Sequence, residues 1–394
     1  MDSAEVVEGG PQGRQIRTAP AAALVGRRQL RRSASLSKAR KKSKNAGEAI
    51  SAASVYNDDV MKAMAVYTPA PIETDPLRAI ELPEPEPGPR EILVRIKTCG
   101  VCRTDLHVAE GDLPPRHPRI VPGHEIVGAI VRCGPGCTRF TAEGVRVGVA
   151  WLRETCGQCA YCRRGRENLC LNARFTGYDH DGGYAEFVVV REDFAYAIPD
   201  GLGDEAAAPL LCAGIIGFRA IKRAEIRPGA TVGLYGFGGS AHIAIQVLKH
   251  WRCRVFVMSR GGRHQELAEA LGADWVGPAD APPPHKLDAA ILFAPAGKLV
   301  PPALEALDRG GILAVAGIYL SPVPALDYER HLFYERELRS VTANTRADAE
   351  EFLKIAGEIP VRTHTLGMRL DEANRALNML KHDELKGAAV LHVG

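Results

Sequence analysis

The feature that most constrains the fold of this chain is a glycine-rich turn between a strand pattern and a helix pattern. The β-branched run 231–235 leads directly into G-F-G-G-S-A, and an apolar periodicity typical of a helix follows. In this context Gly236 makes a tight turn, Gly238 admits a pyrophosphate close to the backbone, and Ala241 lets the helix pack against the strand. We therefore predict a dinucleotide site, with a plain glycine-rich turn as the alternative. The predicted binding residues are Gly236, Gly238, Gly239 and Ser240.

The residues around this turn alternate between strand and helix patterns. Such alternation is typical of a doubly wound parallel sheet, so we assign residues 213–341 to a Rossmann cofactor domain and the chain to the α/β class. The predicted strands are 231–235, 254–258, 288–293 and 312–316, and the clearest helical patterns are 239–251 and 264–271.

The residues on either side of this domain have a different pattern. Between residues 61 and 212, short β-branched runs alternate with Pro and Gly, which is typical of an all-β domain with long loops. The last residues contain a helix through Leu353 and the apolar strand 388–393, and we expect residues 342–394 to return to the β-rich domain. The clearest strand runs of that domain are 91–96, 126–131 and 186–190.

Residues 1–60 form a basic leader without sustained apolar periodicity. They contain eleven Lys or Arg and six Asp or Glu, a local charge of +5, so the rest of this +3 chain carries −2. Nothing outside the leader therefore suggests a nucleic-acid surface, and a small-molecule partner is favoured. We expect the leader to be disordered, or to be a start-site artefact with translation beginning at Met61 or Met64.

The apolar stretches and the cysteines indicate the compartment. No apolar stretch reaches the ~20 residues that a membrane-spanning helix needs, and the leader's run 21–25 is shorter than the core of a secretory signal. Ten cysteines, four of them closely spaced, are then typical of reduced metal-binding thiols. We predict a cytoplasmic protein with no membrane partner.

Four cysteines have the spacing C-x2-C-x2-C-x7-C: Cys156, Cys159, Cys162 and Cys170. Four thiolates so spaced can complete a tetrahedron around zinc. Because no coordination position remains for water or substrate, the predicted zinc is structural. The alternative is a zinc ribbon that binds nucleic acid, but such ribbons generally stand alone with basic flanks, whereas this one lies inside the β-rich domain.

A second set of ligand types is dispersed along the chain. It consists of Cys102 in C-R-T-D-L-H, His124 in P-G-H-E and Cys212 in P-L-L-C-A-G. Two thiolates and one imidazole form a catalytic type of zinc shell, whose fourth position stays open. Spacing alone leaves open that the cysteines are inert core residues and that His124 is a hydrogen-bonded polar group.

These sequence blocks, with D-G-G-Y-A-E and the glycine turn, occur in the order found in the zinc-containing medium-chain dehydrogenase/reductase family. From about Met64 to the C-terminus the chain resembles the alcohol dehydrogenases of that family. The resemblance implies a GroES-like catalytic domain, a Rossmann domain, an active-site cleft between them, two zinc ions per subunit, and a homodimer or homotetramer. The implied reaction is reversible hydride transfer between a primary alcohol or aldehyde and NAD or NADP.

The resemblance also implies individual roles. Thr104 would take the proton of the alcohol, and His107 would pass it towards solvent. Asp105 would orient His124, and Glu125 would approach the metal during ligand exchange. The implied ligands are Cys102, His124 and Cys212 for the catalytic zinc and Cys156, Cys159, Cys162 and Cys170 for the structural zinc.

The end of the second Rossmann strand bears on the choice between NAD and NADP. An NAD-binding unit normally has an acid there for the ribose hydroxyls, whereas this chain has Ser259 followed by Arg260. A hydroxyl and a guanidinium suit a 2′-phosphate better than a carboxylate does, so we predict NADP over NAD. The alternative is that Arg260 is a solvated loop residue and the enzyme accepts both dinucleotides.

Three positions bear on the pocket. Leu113 stands where relatives specialised for very small alcohols have a bulky aromatic residue, and Trp151 resembles a pocket-lining tryptophan, so we expect alcohols longer than ethanol, including aromatic ones. Trp151 as simple core packing is the alternative. Ile216 stands where many relatives have Thr, which leaves the nicotinamide contacts there open.

Other functions differ from this one at the candidate ligand positions or in the part of the chain they use. A zinc-free quinone or enone reductase would lack Cys102, His124 and Cys212. A polyol or other secondary-alcohol dehydrogenase would replace Cys212 with glutamate, and it is the alternative enzyme class. The non-enzymatic alternative is a nucleic-acid-binding protein that uses the basic leader.

Overall fold

The computed structural model describes residues 60–359 and 361–394. The leader predicted for residues 1–60 lies outside the described residues, except for Val60. That residue already belongs to the first strand, where it pairs with Pro83, so the strand begins one residue before the predicted boundary. Within the described part of the chain, no helix has the length and apolar character needed to cross a membrane.

Strands and α-helices of the described residues are numbered in chain order. The strands are β1 (Val60–Val66), β2 (Leu77–Pro83), β3 (Glu91–Gly100), β4 (Glu125–Cys133), β5 (Arg146–Val149), β6 (Leu152–Glu154), β7 (Arg174–Phe175), β8 (Phe187–Arg191), β9 (Ala195–Ala197), β10 (Thr231–Tyr235), β11 (Arg254–Met258), β12 (Trp275–Gly277), β13 (Leu287–Leu292), β14 (Leu307–Val315), β15 (Glu337–Ser340), β16 (Thr365–Arg369) and β17 (Ala388–His392). The α-helices are α1 (Arg103–Glu110), α2 (Ala160–Arg163), α3 (Asp204–Ala207), α4 (Ala213–Arg223), α5 (Gly239–His250), α6 (Gly262–Ala270), α7 (Val300–Ala306), α8 (Tyr328–His331), α9 (Arg346–Glu358) and α10 (Ala373–Lys381).

Six parallel strands form one sheet in the order β12-β11-β10-β13-β14-β15. This arrangement is the predicted doubly wound sheet, and β10 and β11 have the predicted bounds. Strand β14 begins at Leu307 rather than at residue 312, because Leu307 pairs with Leu287 across a register shift. The chain order reverses between β10 and β13, so the turn after β10 opens into the crevice where such sheets bind ligands.

A second, mostly antiparallel sheet has the order β16-β17-β3-β4-β5-β9. Its longest strand, β3, pairs with β8 through its first half and with β17 through its second half. The last strand of the chain therefore lies beside the residues that lead into α1. Strands β16 and β17, although close in sequence, pair in parallel.

Packing between α4 and α9 sets where α4 begins. The fully buried ring of Phe352 lies 5.8 Å from that of Phe218, measured between centroids, and it covers Gly214 so closely that any side chain there would collide with it. Asp348 of α9 also binds the guanidinium of Arg219 on α4. Since Cys212 immediately precedes α4, this contact fixes the backbone at the third predicted ligand of the second metal set.

We expect Phe352→Ala to lower the free energy of unfolding by about 3–5 kcal/mol, because it leaves a cavity between α4 and α9. Phe333→Ala is the matched control, since that ring is 54% exposed, and we expect it to cost less than ~1 kcal/mol. Urea unfolding followed by tryptophan fluorescence measures both values. Equal losses for the two variants would contradict the role of this packing.

Candidate metal centres and dinucleotide site

Helix α1 carries several predicted site residues near its first turn. Cys102 is the N-cap residue: its thiol accepts a hydrogen bond from the backbone of Asp105, and the Asp105 carboxylate accepts one from the amide of Cys102 at 2.9 Å. This reciprocal capping fixes the start of the helix. Buried Thr104 lies with its Oγ1 3.8 Å from the Cys102 Sγ, and His107 follows one turn later.

Cys102, His124 and Cys212 meet in space although they are far apart in the sequence. The two Sγ atoms are 3.7 Å apart, and the candidate ligand atoms of these residues and of Glu125 all lie within 4.8 Å of one another. Two sulfurs bound to one tetrahedral zinc at ~2.3 Å would be about 3.8 Å apart. The buried Nε2 of His124 has no hydrogen-bond partner. This donor set fits a zinc ion.

The Asp105 carboxylate explains why that imidazole nitrogen is free. Besides the Cys102 amide, it accepts hydrogen bonds from His124 Nδ1 at 2.9 Å, from the Gly123 amide at 3.2 Å and from the Tyr184 hydroxyl at 3.2 Å. A carboxylate only accepts, so Nδ1 carries a proton and Nε2 is the nitrogen that binds a metal once it is deprotonated. Tyr184 was not predicted as a site residue, because its D-G-G-Y block is distant in the chain.

Glu125 is buried beside these ligands, and its carboxyl group lies against Gly100. Any side chain at Gly100 would collide with that carboxyl group, so the glycine is required by this close approach. Burial raises the pKa of Glu125 well above its usual range, and the neighbouring Cys102 adds to the effect. Glu125 is thus placed within reach of a metal held by the three ligands.

The thiols of Cys102 and Cys212 are close enough to form a hydrogen bond, in which either sulfur can be the donor. The hydrogen bond between them lowers the pKa of Cys102 and raises that of Cys212. Burial opposes protonation of His124, but the Asp105 carboxylate outweighs it and raises the pKa of the imidazole. Metal binding must release these protons, so affinity decreases as the pH falls.

His107 points one nitrogen outwards and one inwards. Its Nδ1 lies 2.7 Å from the Oδ2 of exposed Asp112, whereas its buried Nε2 has no partner. Asp112 therefore favours the tautomer whose inward nitrogen can accept a proton. Asp112 was not predicted as a site residue, although an acid five residues after His107 is a signal in the sequence. Among the described residues, no hydrogen bond joins Thr104 to His107.

The four-cysteine set forms a compact cluster. Its Sγ atoms are 3.5 to 3.9 Å apart along the pairs Cys156–Cys162, Cys159–Cys162 and Cys156–Cys170, as expected for a tetrahedral zinc site. The backbone amides of Gln158 and Cys159 lower the pKa of Cys156 to about 6, whereas burial raises that of Cys162 to about 12.

An ion pair attaches this cluster to the rest of the molecule. Glu167, which follows α2 in the chain, accepts hydrogen bonds from the Arg346 amide at 2.8 Å and from its guanidinium at 2.7 Å. Arg346 is the first residue of α9, whose Phe352 packs on α4. The cluster therefore shares an anchor with the backbone that follows Cys212.

The glycine turn lies where the sequence pattern predicts it. Gly236 has a φ of 87°, and a Cβ there would lie 2.8 Å from the backbone nitrogen of Ala294, so only glycine fits. Gly238 and Gly239 are exposed and Ser240 is half-buried at the start of α5. The free amides of this helix start can bind a phosphate.

Ser259 and Arg260 follow β11 on the same side of the sheet as the glycine turn. Ser259 is buried, and its carbonyl accepts a hydrogen bond from Gln265 at 2.9 Å. Arg260 is exposed, and within the described residues its guanidinium has no ion-pair partner. Arg263, which the sequence analysis did not single out, contacts the Asp383 carbonyl at 3.4 Å. Two arginines, Arg260 and Arg263, therefore lie between the end of β11 and the first turn of α6.

Aromatic side chains line one side of the candidate catalytic zinc site. The Trp151 ring meets His124 edge to face, with 5.0 Å between centroids, and stacks on Phe175 at 4.9 Å and on Tyr178 at 6.1 Å. Leu113 and Tyr178 together line a small cavity nearby. Ile216 is half-buried one turn into α4, where its amide donates to the Cys212 carbonyl.

Comparison with known proteins identifies the family. Residues 88–200 match the model of the alcohol dehydrogenase GroES-like domain. Probable alcohol dehydrogenase AdhA of Mycobacterium tuberculosis is 53% identical over 335 residues, which cover 84% of this chain and 97% of that relative. The chain belongs to the zinc-type medium-chain alcohol dehydrogenases. It is accordingly an oxidoreductase of a family that uses zinc and nicotinamide dinucleotides to act on small-molecule alcohols and aldehydes.

Solved structures agree with this assignment to the alcohol dehydrogenases. The cobalt- and zinc-bound thermostable alcohol dehydrogenase of Pyrobaculum aerophilum is 28% identical with a TM-score of 0.76, covering 84% of this chain and 99% of that one. CAD from Helicobacter pylori complexed with NADP(H) is 25% identical with a TM-score of 0.75, covering 85% and 98%. The expected GroES-like and Rossmann architecture is confirmed, and no comparison favours the polyol alternative.

In this alcohol dehydrogenase we expect Asp105→Asn to weaken zinc retention about 10- to 100-fold, because the amide cannot accept all four hydrogen bonds. Tyr184→Phe removes only one donor, and we expect a loss of about 1 kcal/mol in stability with zinc retained. Competition with a chromogenic chelator and thermal unfolding measure these effects. If Asp105→Asn kept zinc as well as the wild type, the carboxylate would not be what orients His124.

Proposed function

We propose that this enzyme is an NADP-preferring alcohol dehydrogenase that holds two zinc ions per subunit and oxidises primary alcohols larger than ethanol. The observation that carries the proposal is the buried, unpartnered Nε2 of His124, which faces two thiols 3.7 Å apart. An uncompensated polar atom in such a position is costly unless a metal binds it.

Each group at the catalytic zinc site would have a separate role. Cys102, His124 and Cys212 would hold the ion, which when bound supplies a Lewis acid that lowers the pKa of the alcohol hydroxyl. The dinucleotide supplies the hydride acceptor. Asp105 keeps His124 in the ligating tautomer.

The side chains beside the zinc ligands would transfer the alcohol proton. Thr104, beside the Cys102 thiol, would receive the alcohol proton at Oγ1. The inward Nε2 of His107 would accept it next, and Asp112 would stabilise the resulting imidazolium through Nδ1. Glu125 would approach the metal while ligands exchange, which its closeness to the three ligands supports.

The second zinc would be structural. Four thiols from Cys156 to Cys170 leave no open coordination position, and the Glu167–Arg346 contact joins this lobe to α9. We propose a catalytic domain at 61–212, a Rossmann domain at 213–341 and a return at 342–394. The parallel sheet of β10 to β15 and the pairing of β17 with β3 support that division.

Three further parts of the proposal concern substrate, assembly and location. The stacked rings of Trp151, Phe175 and Tyr178 favour aromatic or long apolar alcohols. The edge strand β15, with exposed Leu338, favours a homodimer or homotetramer in which this edge is covered. Six thiols that must stay reduced to bind metal favour the cytoplasm.

The metal assignment is tested by counting zinc and measuring oxidation of benzyl alcohol. We expect two zinc ions per wild-type subunit. Cys102→Ala should retain one and lose about 10³-fold in kcat/KM, since several kcal/mol of charge stabilisation disappear. Cys159→Ser should lose the other zinc and thermal stability while some activity remains. The control Cys133→Ala, outside both clusters, should keep both ions. Unchanged activity in Cys102→Ala would refute the catalytic site.

The dinucleotide preference is tested at the end of β11. We expect Arg260→Ala to raise KM for NADP about 10-fold and leave KM for NAD unchanged, because a charge-assisted hydrogen bond to the 2′-phosphate is lost. Ser259→Asp should reverse the preference, since its carboxylate repels that phosphate and accepts from ribose hydroxyls. Arg227→Ala, an exposed arginine before β10 at the opposite end of the sheet, is the control. Equal effects on both dinucleotides would refute the preference.

A further inference from the structure

The loop between α1 and β4 brings Asp112 and Leu113 next to His107. Asp112 binds the Nδ1 of His107 at 2.7 Å, and the Leu113 amide donates to the His107 carbonyl at 3.2 Å. Beyond Leu113 the loop has the sequence P-P-R-H-P over residues 114–118, and proline has no backbone N–H to donate. Within the described chain, the amides of residues 116 and 117 donate no hydrogen bond either. Side chains must therefore hold this part of the loop in place.

Four side-chain contacts attach the loop to the turn that follows β7. The Arg116 guanidinium donates to the Oδ1 of Asp179, whose side chain is only 2% exposed. It also lies over the ring of Tyr178, 4.5 Å from the centroid. The Nε2 of His117 donates to the Asp179 carbonyl at 2.9 Å, and the Tyr178 hydroxyl donates to the Pro114 carbonyl at 2.8 Å. Each of these contacts ends on Tyr178 or Asp179.

The turn that receives these contacts is itself fixed to Trp151. The second carboxylate oxygen of Asp179 accepts a hydrogen bond from the Phe175 amide at 2.8 Å. The Thr176 amide donates to the Trp151 carbonyl at 2.9 Å. The rings of Trp151, Phe175 and Tyr178 form the aromatic stack beside the candidate catalytic zinc site. The loop is therefore attached directly to this stack.

The position of Leu113 relative to the aromatic stack depends on this attachment. Leu113, Arg116 and Tyr178 line the same small cavity. The side chain of Arg116 is 43% exposed, so its ion pair with Asp179 contributes little to the stability of the whole protein. The effect of the ion pair is local, because no backbone pairing would keep the loop in position without it.

We propose that Arg116 is a positioning residue for substrate selectivity, which holds Leu113 against the aromatic stack and so favours alcohols large enough to contact both. A loop that is ordered in advance does not have to be ordered when such an alcohol binds. Ethanol is too small to gain from this wall. Arg116 acts through Leu113 and Tyr178, without contact with the reacting atoms. This inference rests on the proposed function, in which the aromatic stack contacts the alcohol.

Three variants separate the contacts, and a fourth is the matched control. Arg116→Met removes the charge and keeps an unbranched side chain. Arg116→Lys keeps a cation that can pair with Asp179 and lie over the Tyr178 ring, without the planar fork of arginine. Tyr178→Phe keeps the ring and removes only the hydroxyl. The control is Arg132→Met, since that side chain is 47% exposed and pairs with Glu84 at 2.8 Å near the far end of β4.

The experiment measures kcat and KM for ethanol and for benzyl alcohol on the zinc-loaded enzyme at saturating dinucleotide. Zinc content and hydrogen exchange of peptides spanning residues 111–121 are measured on the same samples. We expect Arg116→Met to raise KM for benzyl alcohol about 10-fold, with KM for ethanol and both kcat values within about twofold. Hydrogen exchange of the loop should become faster, and zinc content should not change.

The other variants should follow the contacts that they keep. Arg116→Lys should recover most of the preference for benzyl alcohol, because the cation remains over the ring. Tyr178→Phe should change KM in the same direction as Arg116→Met and by a smaller factor, since one neutral hydrogen bond is lost. Arg132→Met should behave like the wild type in every measurement.

Several outcomes would overturn the inference. An unchanged preference for benzyl alcohol in Arg116→Met would do so even if the loop exchanged faster, since the order of the loop would then not determine selectivity. An equal rise in KM for both alcohols, or the same change in Arg132→Met, would show a general disturbance of the domain. If the wild type oxidised neither alcohol, the proposed function itself would fail. That result differs from an active wild type whose selectivity the Arg116 variants retain.

Discussion

The arrangement of the candidate catalytic metal centre depends on one buried carboxylate. Asp105 accepts hydrogen bonds from the start of α1, from the loop before β4 and from Tyr184, so it joins three parts of the catalytic domain. A buried charge is stable only when its hydrogen-bonding capacity is used. The same four bonds that compensate its burial also set the tautomer of His124 and the position of Cys102.

A separate set of contacts positions Cys212, the third candidate ligand. Cys212 lies between the short helical turn after α3 and the start of α4, and α4 is fixed by Phe352 and Asp348 of α9. The first residue of α9, Arg346, also holds the four-cysteine lobe through Glu167. Packing around α9 therefore places Cys212 against Cys102, so the geometry of the metal centre depends on contacts between residues far apart in the chain.

The position of the candidate dinucleotide site follows from the strand order of the parallel sheet. A parallel strand that ends at the point where the sheet order reverses leaves its turn open to the crevice, and the helix that follows presents free amides there. Arg260 follows the neighbouring strand β11, is exposed, and forms no ion pair with any of the residues that the structure describes. The same helix carries Gln246, whose side chain binds Arg362 in the segment leading back to β16.

Patterns within short stretches of sequence determined much of this protein. The glycine turn, the C-x2-C-x2-C-x7-C spacing and strands β10 and β11 were predictable because periodicity, turn chemistry and ligand spacing are local properties. The start of β14 was predicted wrongly, because its first residue is defined by a pairing partner and not by its own pattern. Only the tertiary structure decided the contacts of Asp105 with Tyr184 and of Gln246 with Arg362, since the partners are 79 and 116 residues apart. It also decided which nitrogens of His107 and His124 stay free, because a tautomer depends on the acceptor that packing brings to the ring.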